Sequence, residues 1–254
     1  ASAKRRVLFP NSKGGLPDGE RTLPELLKAR GYATAVVGKW HLGHLPAHTP
    51  DKHGFDHFYG LPYSNDMDRL PKAPEGKPAW AQFDVPLLRN GELLEKPADQ
   101  TTLTKRYTEE SLRWIREQGA KPFFLYLAYA MPHIPLFASE DFRGKSPRGL
   151  YGDVVEELDW SVGRILEALR AGGLDRRTLV VFSSDNGPWL IHKENGGSAG
   201  PLREGKGSTW EGGQRVPGIF WWPGTIPAGI VTKQPGATLD LLPTFTALAG
   251  AALP

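Results

Sequence analysis

Leu179-Val-Val-Phe-Ser-Ser-Asp-Asn-Gly-Pro188 carries the reading of the fold. Four apolar residues with β preference run into two serines, then Asp185 and Asn186, and Gly187-Pro188 stops the run. A short apolar run bounded by turn residues reads as a buried strand of a parallel sheet. Its carboxyl end delivers a carboxylate and an amide oxygen side by side, where ligands sit in open α/β sheets. Such an oxygen pair suits a hard cation. Asp, Asn, Gly and Pro also favour an Asx turn, and on this stretch alone the two readings compete.

Working outward, strand and helix patterns alternate. N-terminal to the anchor, residues 151–172 read as a helix, with Val154, Val155, Leu158, Val162, Ile165, Leu166 and Leu169 at helical spacing. Residues 123–129 form another apolar run, ending in Met131-Pro132-His133. Residues 104–118 read as a helix. The segment 44–103 is rich in proline and loop signals, and reads as a functional insert. Within it Asn90-Gly91 marks a type I′ hairpin.

Further upstream, residues 32–37 form a short β run that feeds into Gly38-Lys-Trp-His-Leu-Gly43. The helix before it, 23–30, opens on the capping box Thr22-Leu-Pro-Glu25. Residues 1–20 begin with a basic patch and continue as a loop. C-terminal to the anchor, a glycine-rich loop (196–213) leads to a strand at 218–222 and a helix at 238–249. This alternation argues an α/β fold: a mostly parallel sheet with helices on both faces, organised as one domain.

Composition narrows the function. The 254 residues suffice for a large α/β domain. The longest apolar run, nine residues, is too short to span a bilayer. A net charge of +3, with no Lys/Arg run interleaved with aromatics, gives nucleic acid no footprint. The absence of cysteine removes disulfides, thiolate metal sites and a cysteine nucleophile from this stretch.

The strand ends carry the chemistry. One run ends at Lys39 and His41, another at His133, and the anchor at Asp185 and Asn186, with Lys206 in the glycine-rich loop. In a parallel sheet these converge on one rim. Two ammonium groups, two imidazoles and a cation suit a compact, multiply charged oxyanion. Each residue alone has a plainer reading: a solvated lysine, or a loop histidine bonded to backbone. Five of the seven histidines (His41, His44, His48, His53 and His57) cluster in sequence. No run sets three of them on one helix face beside a carboxylate, which argues against zinc. The run from Gly200 to Gly207 fails as a P-loop, because Gly207 stands where a metal-binding Ser/Thr belongs.

With these residues assembled, the sequence resembles the sulfatase family. The resemblance rests on Gly38-Lys-Trp-His-Leu-Gly43, His53-Gly-Phe-Asp56, Phe123-Phe-Leu-Tyr126, His133 and Ser184-Asp-Asn-Gly187. Gly205-Lys-Gly207, Trp210-Glu-Gly-Gly-Gln-Arg-Val-Pro217 and Asp240-Leu-Leu-Pro-Thr244 extend it. It covers nearly the whole chain in family order and looks closest to the arylsulfatase A and N-acetylgalactosamine-6-sulfatase branch.

The resemblance implies hydrolysis of aryl or carbohydrate sulfate esters on an alkaline-phosphatase-like fold. It implies one Ca2+ held by Asp185 and Asn186. Lys39 and Lys206 would bind sulfate oxygens, with Lys39 also reaching the nucleophile. His41 would hold the hydrated formylglycine, with Ser64 as a neighbouring hydroxyl. His133 would contact the sulfate and protonate the leaving oxygen, while Arg215 and Asp240 would be structural. An extracytoplasmic bacterial location is also implied.

Two departures matter. The Cys/Ser-x-Pro-x-Arg motif that matures to formylglycine is absent, and so is an aspartate pair after the first strand. The expectation is therefore a central sulfatase fragment, cut at both ends, whose nucleophile and remaining calcium ligands lie upstream. These residues alone are not expected to turn over an aryl sulfate. The alternatives are a phosphoester or phosphonate hydrolase of the same superfamily, or a non-catalytic binder of sulfated glycans.

Overall fold

A computed structural model of the chain describes residues 7–68 and 83–254. The basic patch at 4–6 and residues 69–82 of the expected insert lie outside them. The described residues fall into two compact units: those up to Pro135 together with Gln234–Pro254, and Leu136–Lys233.

The first unit is built on a five-stranded mixed sheet. Its strands are β1 (Ala33–Lys39), β2 (His57–Leu61), β3 (Leu87–Arg89), β4 (Glu92–Glu95) and β5 (Phe123–Ala128), in the order β4-β3-β2-β1-β5. β1 pairs in parallel with both β2 and β5, while β3 and β4 are antiparallel additions beside β2. Ala33-Thr-Ala-Val-Val-Gly-Lys39 makes the middle strand of the parallel trio because it is apolar on both faces, the signature of a parallel strand covered twice. At the β3–β4 turn, Asn90 and Gly91 both take positive φ (49° and 87°), as a type I′ turn demands.

Alternation along β1 divides the core. Val37 lies in a cluster with Tyr59, Leu61 and Leu87, which α2 (Leu103–Gln118) covers with Leu103 and Tyr107. Val36 joins Trp40, Phe55 and Phe58 in a second cluster, against which Phe124 packs. Phe245 of α5 (Leu241–Leu248) meets the Phe124 ring, and α1 (Leu23–Lys28) packs on α5. Helices thus cover both faces of this sheet. The α1 capping box forms as expected: Thr22 Oγ1 accepts from the Glu25 amide, and Glu25 Oε2 accepts from the Thr22 amide.

One correction concerns segment 44–103, which reads from sequence as mostly loop. It supplies β2, β3 and β4, and β2 lies in the middle of the sheet, directly beside β1. Gly60 makes this pairing possible, because a Cβ there would lie 1.8 Å from the Gly38 carbonyl oxygen. His-Phe-Tyr-Gly-Leu is too short, and too broken by glycine, to show its strand character without that partner.

A buried charge network locks β2 and β3 to α2. Glu110 accepts hydrogen bonds from His57 Nε2 (2.8 Å), Arg89 Nη2 (2.8 Å) and Arg113 Nη2 (2.6 Å). Burial alone would raise its pKa, but the bonds from His57, Arg113 and Arg89 outweigh that and hold it at about 2, against an ordinary 4.5. A depressed carboxylate contributes stability that is complete above its unfolded pKa and is lost as pH falls towards the folded value. Since the two arginines are partly exposed and screened, Glu110→Gln is expected to cost about 2–3 kcal/mol at pH 7. Urea unfolding of parent and variant should show that gap shrinking between about pH 4.5 and pH 2. A pH-independent gap would mean that the network contributes through packing alone.

The second unit carries α3 (Gly149–Ala171), the short helix α4 (Glu211–Gln214), and a two-stranded sheet of β6 (Val180–Ser183) and β7 (Gly218–Trp221). Asp153 and Glu157 of α3 turn inward to bind amides: Asp153 takes those of Gly144, Lys145 and Ser146, and Glu157 that of Ser139. Val154, Leu158 and Leu169 are buried as their spacing predicts, but Val155 is 41% exposed.

The anchoring strand departs from expectation more sharply. Among the described residues β6 pairs only with β7, and antiparallel, with Phe182 against Ile219. It is not deeply buried either: Phe182 is exposed, as are Ile219 and Phe220 opposite it. An apolar run reports strand propensity, whereas partner, direction and cover are properties of the assembled sheet.

Candidate functional site

In the first unit, β1, β2 and β5 run parallel, so their carboxyl ends leave the sheet on one edge. Lys39 is the last residue of β1 and is half-buried. Gly38 before it has φ +120°, and a Cβ there would lie 1.8 Å from the Ala128 carbonyl oxygen. Gly38 and Gly60 thus let three backbones close up where the polar residues emerge. The chain then stays tied to β2, with Trp40 N bonded to Leu61 O (2.9 Å) and His41 N to Pro62 O (3.2 Å).

His41 takes φ +54°, a left-handed conformation uncommon outside glycine. Its Nε2 bonds the Leu8 carbonyl at 2.8 Å, which fixes the ring. Ser64 follows β2 and is only 2% exposed, yet its hydroxyl has no hydrogen-bond partner among the described residues. A buried hydroxyl left unsatisfied carries a desolvation cost, so it marks a place where a ligand group would be welcome.

His133 follows β5, between the cis peptides Met131–Pro132 and Ile134–Pro135, with Nδ1 2.7 Å from Ile134 O. Asn65 holds this segment against the loop after β2. Its Nδ2 reaches Gln100 Oε1 (3.2 Å), His133 O (3.4 Å) and Pro135 O (3.3 Å). Gln100 in turn donates to Asn65 O and Asp68 Oδ2. Asn65, Gln100 and Asp68 escape a reading of strand ends, because they position His133 from positions 33 to 68 residues away. The only available signal was an unusual density of polar residues after Ser64.

In the second unit, Asp185 and Asn186 stand just beyond β6, Asp185 exposed and Asn186 half-buried. The turn is stapled to the glycine-rich loop, since Gly187 N bonds Gly213 O (3.0 Å) and Lys206 N bonds Pro188 O (2.8 Å). A Cβ on Gly187 would lie 1.8 Å from Gly212 O, so only glycine permits this approach. Lys206 Nζ lies 4.7 Å above the Trp189 ring, a cation–π contact that directs the ammonium along this surface. Asp185, Asn186 and Lys206 therefore belong to one stapled turn.

Arg215 pairs with Glu211 one helical turn earlier, and Asp240 accepts the Ala237 amide, both consistent with structural roles. Of the remaining clustered histidines, His57 belongs to the Glu110 network and His44 stacks edge-on to Tyr63. Burial, together with the neighbouring His48, lowers the pKa of His44.

Oxygen donors of the Asp185–Asn186 kind fit a hard cation, and the Asp185 carboxylate is exposed. Two donors fall short of the six to eight that Ca2+ takes. In the first unit a lysine and a histidine at parallel strand ends, Lys39 and His133, are groups that can bind a tetrahedral oxyanion and move a proton to it.

Residues 3–251 match the family model described as Sulfatase. The chain is 46% identical over 241 residues to N-acetylgalactosamine-6-sulfatase of Mus musculus, covering 93% of this chain and 46% of that protein. It is 44% identical over 260 residues to arylsulfatase A of Bos taurus, covering 98% and 51%. The solved structure of Ps i-CgsB in complex with k-i-k-neocarrahexaose matches with a TM-score of 0.83 at 34% identity, covering 98% of this chain and 57% of that one. The chain spans about half the length of the curated relatives it matches.

Proposed function

Because this chain belongs to the sulfatase family, we propose that its protein hydrolyses sulfate esters of carbohydrates or phenols, using a formylglycine nucleophile that these 254 residues do not encode. The observation that carries this reading is the parallel trio β1, β2 and β5, with Lys39 ending one strand and Ser64 and His133 following the others. Carbohydrate is the favoured substrate class, since one relative is named for a sulfated amino sugar and the Ps i-CgsB structure holds an oligosaccharide.

On this reading the Lys39 and Lys206 ammonium groups bind non-bridging sulfate oxygens and stabilise the charge that shifts as the S–O bond breaks. His41, its ring held by Leu8, orients the nucleophile's hydroxyl. The Ser64 hydroxyl donates to the bound ester, and His133 protonates the leaving oxygen. Asp185 and Asn186 supply two ligands to one Ca2+, with the others coming from elsewhere in the protein. Neutralising charge on the sulfate and nucleophile oxygens is the chemistry such an ion supplies when bound. An extracytoplasmic location, periplasmic or secreted, belongs to the same reading. Among the described residues no helix is long and apolar enough to cross a membrane.

The test is sulfate release by the full-length, matured protein from an aryl sulfate and a 6-sulfated amino sugar, beside a phosphate and a phosphonate ester. Faster hydrolysis of the phosphorus esters would overturn the reading in favour of the related hydrolase, and binding without turnover would favour a lectin-like role. Asp185→Ala is expected to weaken Ca2+ binding at least tenfold by calorimetry, with part of the lost activity regained at high Ca2+. Unchanged Ca2+ affinity would remove Asp185 from the metal shell.

A further inference from the structure

Asp18, His48 and His53 lie apart in sequence, yet each brings one ligand atom within 4.8 Å of the other two. Asp18 sits in the loop before α1. His48 and His53 each end a short 3₁₀ turn, Pro46–His48 and Pro50–His53. We propose that these three residues form a binding site for Zn2+ or a similar borderline transition ion, independent of the sulfate-ester reading.

Three observations support it beyond proximity. His53 is 1% exposed and, among the described residues, neither ring nitrogen has a hydrogen-bond partner. Buried imidazoles are ordinarily satisfied, so one left bare beside a second imidazole and a carboxylate has the environment of a ligand awaiting its ion. His48 is oriented as metal-bound histidines are: Nδ1 lies 3.0 Å from the Leu16 carbonyl oxygen, which assigns the N–H to Nδ1 and leaves Nε2 as the electron-pair donor. The backbone around both histidines is also held. Trp40 Nε1 donates to His48 O (2.9 Å), and Thr22 Oγ1 donates to His53 O (2.8 Å). Gly15 and Gly43 bring their chains so close to His48 that a Cβ on either would lie 2.4 Å from its side chain.

Two imidazoles and one carboxylate form a donor set that zinc takes readily, with water completing the shell. Tetrahedral bonds of about 2.0–2.1 Å put ligand atoms about 3.4 Å apart, so closure needs shifts of about 1 Å, and Asp18 is exposed and able to make them. An all-oxygen site for Ca2+ is excluded by the two nitrogens. The site also has a structural consequence. It joins the 15–18 loop to the 46–53 turns behind Trp40, whose ring stacks on His53 and whose neighbour is Lys39. Sequence spacing does not show this set, because a loop and two separate turns, rather than one helix, supply the ligands.

The full-length protein, stripped with EDTA, is titrated with Co2+, whose visible absorption reports coordination. One equivalent is expected to give the intense bands of a four- or five-coordinate ion, and Zn2+ to displace it. Asp18→Asn and His48→Gln, both away from the deepest core, are each expected to weaken Co2+ binding at least tenfold and to abolish the rise in Tm with Zn2+. Asp185→Ala is expected to bind Co2+ like the parent, which separates this site from the proposed calcium ligands. Absence of a one-equivalent Co2+ spectrum, or Co2+ affinity unchanged in both ligand variants, would overturn the proposal. Loss of the spectrum in Asp185→Ala alone would move the ion to the other site and overturn it as well.

Discussion

Lys39→Ala in the matured full-length protein is expected to lower kcat for a sulfate ester about a hundredfold or more, with the fold intact. Lys39 ends β1, its own backbone paired with Leu61 of β2 and the preceding Gly38 paired on both sides, with Gly60 and Ala128. A charge so placed requires little reorganisation as negative charge shifts towards the leaving oxygen, which is why losing one preorganised donor costs about 3–4 kcal/mol of transition-state stabilisation. Half-buried at a strand end, Lys39 contributes little to the core, so thermal unfolding should change by only a few degrees. Lys39→Arg should rescue poorly, since a planar fork does not fill the place of a compact ammonium. The measurement is kcat and KM for parent and both variants, with Tm as the control for folding. A rise in KM at constant kcat would show that Lys39 binds ground and transition states equally, and would remove it from the catalytic step.

His133→Ala is expected to lose about 10²–10⁴ in kcat on a sugar sulfate, and far less on an activated phenol sulfate. A sugar alkoxide is a poor leaving group and needs a proton as the bond breaks, whereas a nitrophenolate leaves without one. With Nδ1 directed at the Ile134 carbonyl (2.7 Å), Nε2 is the atom that would hand over the proton under the proposed role. Equal losses on both esters would strip His133 of the acid's role and leave it a sulfate contact. Asn65 supplies a second arm, because its amide holds the His133 and Pro135 carbonyls. Asn65→Ala should reproduce the leaving-group dependence in weaker form if the placement of His133 is what matters.

Much of the first unit was legible because its signals are local. The capping box at Thr22, the Asn90-Gly91 turn and the apolar run of β5 each follow from the preferences of a few adjacent residues. The polar residues at strand ends were legible for a similar reason, since a strand that stops at Lys39 must deliver it at the sheet's edge. β2 was not, because His57–Leu61 becomes a strand only when Gly38 and Gly60 let it lie against β1. Nor was the antiparallel course of β6, as Val180–Ser183 has the same composition whichever way its partner runs.

By itself the sequence determined the α/β class, the family through its ordered motifs, and the oxygen-donor pair at 185–186. These rest on residue identity and short spacing, which the chain carries whatever its fold. Only the tertiary structure decided that Asn65 holds the His133 segment, that Glu110 gathers His57 and two arginines, and that Asp18 meets His48 and His53. Each of these is a meeting of residues brought together by turns and sheet pairing. Their energies come from burial and geometry, which no local preference encodes.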